Sequence, residues 1–198
     1  LFFFQYEVVA SDFGTTGIID LPTARMMSDG DLKATISYQD IANIYNITYQ
    51  ATPWLESTFR YTIFNPSNPI RNSSIPDGLN DRSYSVKIKL VNERKYIPQL
   101  AIGIKDLLGT GAWSSEYLVA SKKFDNLDLS LGIGWGRLSE EGTIKNPLTY
   151  FSDNFSNRYE GNPLSAGGKY GGKLRTNSFF KGNQVGLFGG LKYNLANT

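Results

Sequence analysis

Between Leu127 and Gly136 the sequence LDLSLGIGWG alternates without a break. Leu127, Leu129, Leu131, Ile133 and Trp135 fall on one parity, and Asp128, Ser130, Gly132, Gly134 and Gly136 on the other. Residues two apart share a face of a β-strand, so this stretch has one wholly apolar face and one that is small or polar. The run from Glu116 to Phe124 precedes it across Asp125-Asn126, giving two strand-like segments joined by a tight turn. A small or polar face can line a crowded or wet interior. The pattern therefore fits a membrane β-barrel at least as well as a half-buried soluble strand.

The alternation recurs along the chain. Leu32, Ala34, Ile36 and Tyr38 oppose Lys33, Thr35 and Ser37, and Tyr45, Ile47 and Tyr49 oppose Asn46, Thr48 and Gln50. Further runs begin at Leu55, Tyr84, Leu100 and Val185, which makes about eight strands of roughly 8 to 11 residues, the length a tilted strand needs to cross a bilayer. Tight turns at Thr52-Pro53, near Arg94 and at Asp125-Asn126 alternate with long segments at Asn65 to Asp81, Leu108 to Ser114 and Leu138 to Gly182. Short turns on one rim and long loops on the other are the asymmetry of outer-membrane barrels, and an even strand count returns both termini to the short-turn, periplasmic rim. The expected fold is all-β: an antiparallel transmembrane barrel of about eight strands, alone or as part of a larger barrel. Residues 1–10, ending in Val8-Val9-Ala10, read as the remnant of an export signal or as a first strand. Residues 11–30 read as a connector, and 31–198 as the barrel with a long loop at 138–182.

Composition narrows the function. No stretch approaches the roughly 18 to 20 apolar residues of a spanning helix. A net charge of +2, with Lys and Arg scattered along the strands, gives no reason to expect a nucleic-acid partner. Without Cys there are no disulfides, thiolate metal sites or lipid-modifiable thiols, and without His no Ser-His-Asp triad can be built. Neither an enzyme nor a metal or other cofactor is expected.

The candidate site residues form three groups. A Lys or Arg on the lipid face costs roughly 2 to 4 kcal/mol near the midplane, so Arg60, Lys87 and Lys89 should point into the lumen, with Glu56 and Glu116 as counter-charges. Trp54, Trp113 and Trp135 sit at strand ends and are expected to form an interfacial girdle. In the long loop, Tyr150, Phe151, Tyr159 and Tyr170 offer aromatic faces to sugar rings, and Lys169, Lys173 and Arg175 offer charge to an acidic glycan. The alternative is that these aromatics pack on the barrel mouth. GGKYGGK at 167–173 lacks the flanking strand, helix and GK[ST] ending of a phosphate cradle. Glu140-Glu141 and Asp153 have no defined separation and read as solvated surface instead of a glycosidase pair.

Three segments resemble a known family: GIIDLPTARMMSDGDLKATISY (17–38), QATPWLESTFRYT (50–62) and YIPQLAIGIKDLLGTGAWSSEYLVASKKFDNLDLSLGIGWGRL (96–138). They are similar to the YjbH family of bacterial exopolysaccharide proteins, which includes the GfcD-type proteins of group 4 capsule systems. The resemblance implies an outer-membrane β-barrel component of exopolysaccharide or capsule synthesis, secretion or assembly, with outer-membrane lipid, extracellular polysaccharide and periplasmic export proteins as partners. Full-length members are longer, so these residues correspond to the N-terminal barrel portion or to a shortened relative. An eight-stranded barrel has room only for its own side chains and is not expected to conduct a polymer by itself. Two other readings stay open: a small outer-membrane porin, and a soluble lipocalin-like binding barrel with its apolar face turned inward.

Overall fold

The computed structural model of the chain describes residues 11–40, 42–64, 80–111, 113–139, 142, 144–158, 172, 174 and 176–195. A small hairpin, β1 (Gly17–Ile18) and β2 (Leu21–Pro22), precedes the main sheet. That sheet comprises β3 (Leu32–Tyr38), β4 (Ala42–Thr52), β5 (Leu55–Phe64), β6 (Asn80–Val91), β7 (Gln99–Leu107), β8 (Ser115–Phe124), β9 (Leu127–Gly136), β10 (Ile144–Lys145) and β11 (Gln184–Tyr193). The spatial order is β10-β11-β9-β8-β7-β6-β5-β4-β3, with every pairing antiparallel. Setting aside the two-residue β10, eight strands remain, as the alternation predicts. From β4 onward they have 9 to 12 residues each, long enough for a tilted crossing.

The expected closure is not observed. β3 and β11 are not paired with each other, so the sheet stays open. Their free edges do not match: β3 is only seven residues long, and the start of β11 is already taken by β10 through Ile144↔Val185.

The two faces of the sheet are inverted relative to a water-soluble protein. On the concave side Asn46, Thr48, Gln50, Glu56, Thr58, Arg60, Thr62, Asp81, Ser83, Ser85 and Lys87 are all buried. On the convex side Leu32, Leu131, Leu187 and Leu191 are 62 to 71% exposed. Toward β7, β8, β9 and β11 the concave side becomes aromatic, with Tyr117 and Phe188 meeting edge-on across a gap that Gly103 and Gly132 leave open.

Residues 11–30 are not a connector outside the sheet but a strap laid along its concave face. Near Ser11 the strap lies at the long-loop rim, where Gln39 Nε2 donates to Asp12 Oδ2 (3.2 Å) and the Phe13 ring stands 5.3 Å from Trp113. It ends at the short-turn rim, where the Gly30 N–H donates to the Gln50 carbonyl. Between these points it touches β4 to β9 and approaches β11, where Ile18 lies beside Gly190. The sheet therefore wraps around it. Tyr193, the last residue of β11, lies opposite Leu127 at the short-turn rim, as expected, whereas Ser11 lies at the opposite rim. Residues 1–10 lie outside the described residues.

Parts of the 138–182 segment are also built into the fold. Leu138 packs against the concave-side cluster of Ala24, Ala101, Tyr117 and Val119. Asn146, fully buried, caps a 3-10 turn at Pro147–Tyr150 by accepting the Leu148 N–H (3.0 Å), and its amide donates to the carbonyls of Phe180 (3.1 Å) and Gly182 (2.8 Å).

Candidate functional site

The lumen-like concave face is organised by ion pairs on neighbouring strands. Lys87 Nζ lies 3.1 Å from Glu56 Oε1 and also donates to the carbonyls of Thr16 (3.1 Å) and Arg25 (2.7 Å). Glu56 in turn accepts the Thr16 N–H (2.9 Å) and hydroxyl (2.5 Å). The pair thus fastens the strap to β5 and β6. Burying two charges is costly unless they meet each other and their remaining hydrogen-bonding capacity is met as well, and both conditions hold here.

Arg60 points inward too, but its partners are Asp81 (3.5 Å) and Asp106 (3.4 Å), not the expected glutamates. Asp81 accepts the Thr110 N–H and Asp106 the Trp113 N–H, each at 2.9 Å, so this triad anchors the 108–114 turn over the mouth of the concave face. Arg60 Nε and Nη1 have no partner among the described residues, and the guanidinium lies 5.5 Å from the Phe13 ring and 5.8 Å from that of Trp113.

Glu116, expected to point inward, does not lie on the concave face. Ser115, Tyr117, Val119 and Ser121 are the inward residues of β8, while Glu116 shares the convex face with Ile104 and Trp135, its partners across the ladder. It is fully buried because the 138–182 segment folds over it. Arg158 pairs with it at 2.6 Å, and the Phe180 N–H donates to it at 2.9 Å. Lys89 is half-buried near the short-turn end of β6 and joins neither inward ion pair.

The three tryptophans separate. Trp54 is half exposed at the β4–β5 turn, but Trp113 and Trp135 are each only 4% exposed, against the girdle expected of them. Trp113 lies under the Arg137 guanidinium (3.8 Å), and Trp135 is covered edge-on by Phe180 (5.2 Å). Exposed aromatic rings at strand ends include Tyr38, Phe124 and Tyr193. Of the glycan-contact residues, Tyr150 and Phe151 are 75% and 84% exposed, clear of the mouth packing that was the alternative for them. Tyr159, Lys169, Tyr170, Lys173 and Arg175 lie outside the described residues.

At the short-turn rim a second network joins Asp128, on the polar parity of β9, to groups that alternation does not mark. Arg25 reaches Asp128 (2.8 Å) and Glu93 (2.6 Å), and Lys122 reaches Glu93 (2.8 Å). Burial would raise the Glu93 carboxyl, but hydrogen bonds from Lys122, the Lys123 N–H and Arg25 outweigh it and hold the group at about 2.

The chain is thus an all-β sheet with charge on its buried side and aliphatic residues on its exposed side. The family described as "Exopolysaccharide biosynthesis protein YbjH" matches residues 9–198, and the chain belongs to this YjbH exopolysaccharide biosynthesis family. It is 37% identical over 185 residues to "Uncharacterized lipoprotein YjbH" of Escherichia coli (strain K12), an alignment covering 92% of this chain and 26% of that relative. The chain thus spans about a quarter of the curated relative's length. No solved structure matches.

Proposed function

We propose that the chain is a wall segment of a transmembrane β-barrel in the bacterial outer membrane, with a non-enzymatic part in exopolysaccharide or capsule secretion or assembly. The observation that carries this reading is the inversion of the sheet. Lys87 and Arg60 are at most 1% exposed on the concave side while Leu131 is 70% exposed on the convex side. Water would favour the reverse arrangement, whereas lipid outside and a polar interior favour this one. A lipocalin-like barrel needs its apolar face inward and does not fit. Membership of an exopolysaccharide family and likeness to a protein named a lipoprotein support an envelope role over a generic porin. Because the open sheet is already filled by its strap, a polymer path would need further strands, a partner or movement of the strap.

The test is excision of residues 159–175, which removes five of the proposed glycan contacts and spares Leu138, Asn146 and Arg158. Membrane insertion is expected to persist, read by fractionation and by heat-dependent gel mobility, while surface polysaccharide falls. Undiminished polysaccharide would remove the glycan role of this loop, and recovery of the intact protein in a detergent-free soluble fraction would remove the barrel.

A further inference from the structure

At the long-loop rim, between the strap and the ends of β7, β8 and β9, lies a cavity of about 170 Å³. Its wall includes Lys105, Arg137, Asp20, Ser115 and the rings of Phe13 and Trp113. We propose that this cavity is a subsite for one carboxylated sugar residue, of the uronate type, in the polysaccharide. The inference rests on the glycan role argued above and adds the chemistry of what is held.

Size comes first. The volume is well below the roughly 300 to 1,000 Å³ of sites that enclose a whole drug-sized ligand, so it accommodates a single ring or a smaller group.

Charge comes second. The charged side chains of the wall are Lys105, Asp20 and Arg137, the last already stacked on Trp113, so Lys105 carries the charge argument. Lys105 is 4% exposed, and its ammonium rests 4.8 Å from the Phe13 ring centroid and 5.9 Å from that of Tyr117. Among the described residues no carboxylate lies within ion-pair distance of it. A buried cation held only by ring faces is incompletely compensated, and a bound carboxylate would complete it.

The aromatic wall decides between ligand classes. Trp113 is held in place by its backbone N–H to Asp106, and its indole Nε1 is buried with no partner among the described residues. Phe13, Trp113, Leu21 and Leu138 give the wall apolar surface that suits the C–H side of a pyranose and offers nothing to a phosphate. Asp20 can accept from sugar hydroxyls and would repel a doubly charged anion. The combination selects a singly charged, ring-bearing saccharide.

Calorimetric titration of the purified protein in detergent micelles, with tetragalacturonate, cellotetraose and inorganic phosphate as probes, tests the assignment. The acidic tetramer is expected to bind about 10-fold or more tightly than cellotetraose, and Lys105→Met to lose a comparable factor, the range of a hydrogen bond to a charged group. Equal binding of the neutral tetramer, phosphate binding as tight as the uronate, or an unchanged affinity in a folded Lys105→Met protein would each overturn it. If Lys105→Met does not fold, the three-probe comparison on the unmodified protein still decides. Absent uronate binding with surface polysaccharide still dependent on the protein removes only this subsite. Polysaccharide that no longer depends on the protein at all removes the reading beneath it.

Discussion

Lys87 and Glu56 are direct register partners across the β5–β6 ladder, 3.1 Å apart, and neither side chain is exposed. Removing one member strands the other in a site closed by the strap. Lys87→Met is therefore expected to cost about 3–5 kcal/mol in urea unfolding from micelles, whereas the Lys87→Met/Glu56→Leu double variant recovers part of that loss. Equal costs for the single and double variants would show that the two charges are not coupled.

Leu131 separates a lipid-facing wall from a water-facing one. In water, an arginine at a position 70% exposed changes stability by at most about 0.5 kcal/mol. Facing lipid near the midplane, Leu131→Arg is expected to cost about 2–4 kcal/mol, measured by reversible unfolding from liposomes. A neutral result there would argue against the membrane assignment.

Gly103 sits directly opposite Tyr117, and a Cβ at Gly103 would run into the tyrosine ring, which is fully buried and has nowhere to go. Gly103→Val should destabilise by about 1–3 kcal/mol through overpacking, and Tyr117→Leu in the same chain should relieve much of it. The denaturation midpoint followed by intrinsic fluorescence reads both effects.

Glu93 supplies a pH signature. Its carboxyl is held at about 2 in the fold, below the ordinary 4.5. The stability it contributes is complete above about pH 4.5 and is lost as pH falls toward 2. The melting-temperature difference between the unmodified protein and Glu93→Gln should be constant at neutral pH and shrink across that window. A difference that persists unchanged at pH 2 would contradict the network drawn around Arg25 and Lys122.

How far these features can be read from the chain differs by residue. Arg60, Lys87 and Glu56 are legible because each lies on the polar parity of a run whose other parity is apolar but for Ser57. Glu116 was not, because β8 carries apolar residues on both parities: Tyr117 and Val119 face inward, Leu118 and Ala120 outward. Only the fold of the 138–182 segment shows that Arg158 covers it. Asp81 shares the parity of Lys87 and could have been found on that ground. Asp106 could not, because it adopts a left-handed conformation (φ 67°) that breaks the alternation of β7 just where the carboxylate turns in. Barrel closure was inferred from strand number and loop asymmetry, which say nothing about whether two edges match. The strap has no periodicity to read, since much of its contact with the sheet is through backbone N–H and C=O groups met by side chains far along the chain.

Those contacts carry a kinetic consequence. Ala24 reaches Ser121 across 97 positions and Arg25 reaches Asp128 across 103, whereas sheet neighbours such as β8 and β9 meet across a two-residue turn. Closing a long span costs more entropy than zipping a hairpin, so the strands should assemble first and residues 11–30 seat last. Time-resolved refolding should accordingly show ellipticity recovering ahead of the change in tryptophan emission that accompanies the packing of Phe13 against Trp113. Before that final step the nascent wall would be an unfilled trough of charge, open along the whole path that residues 11–30 later occupy.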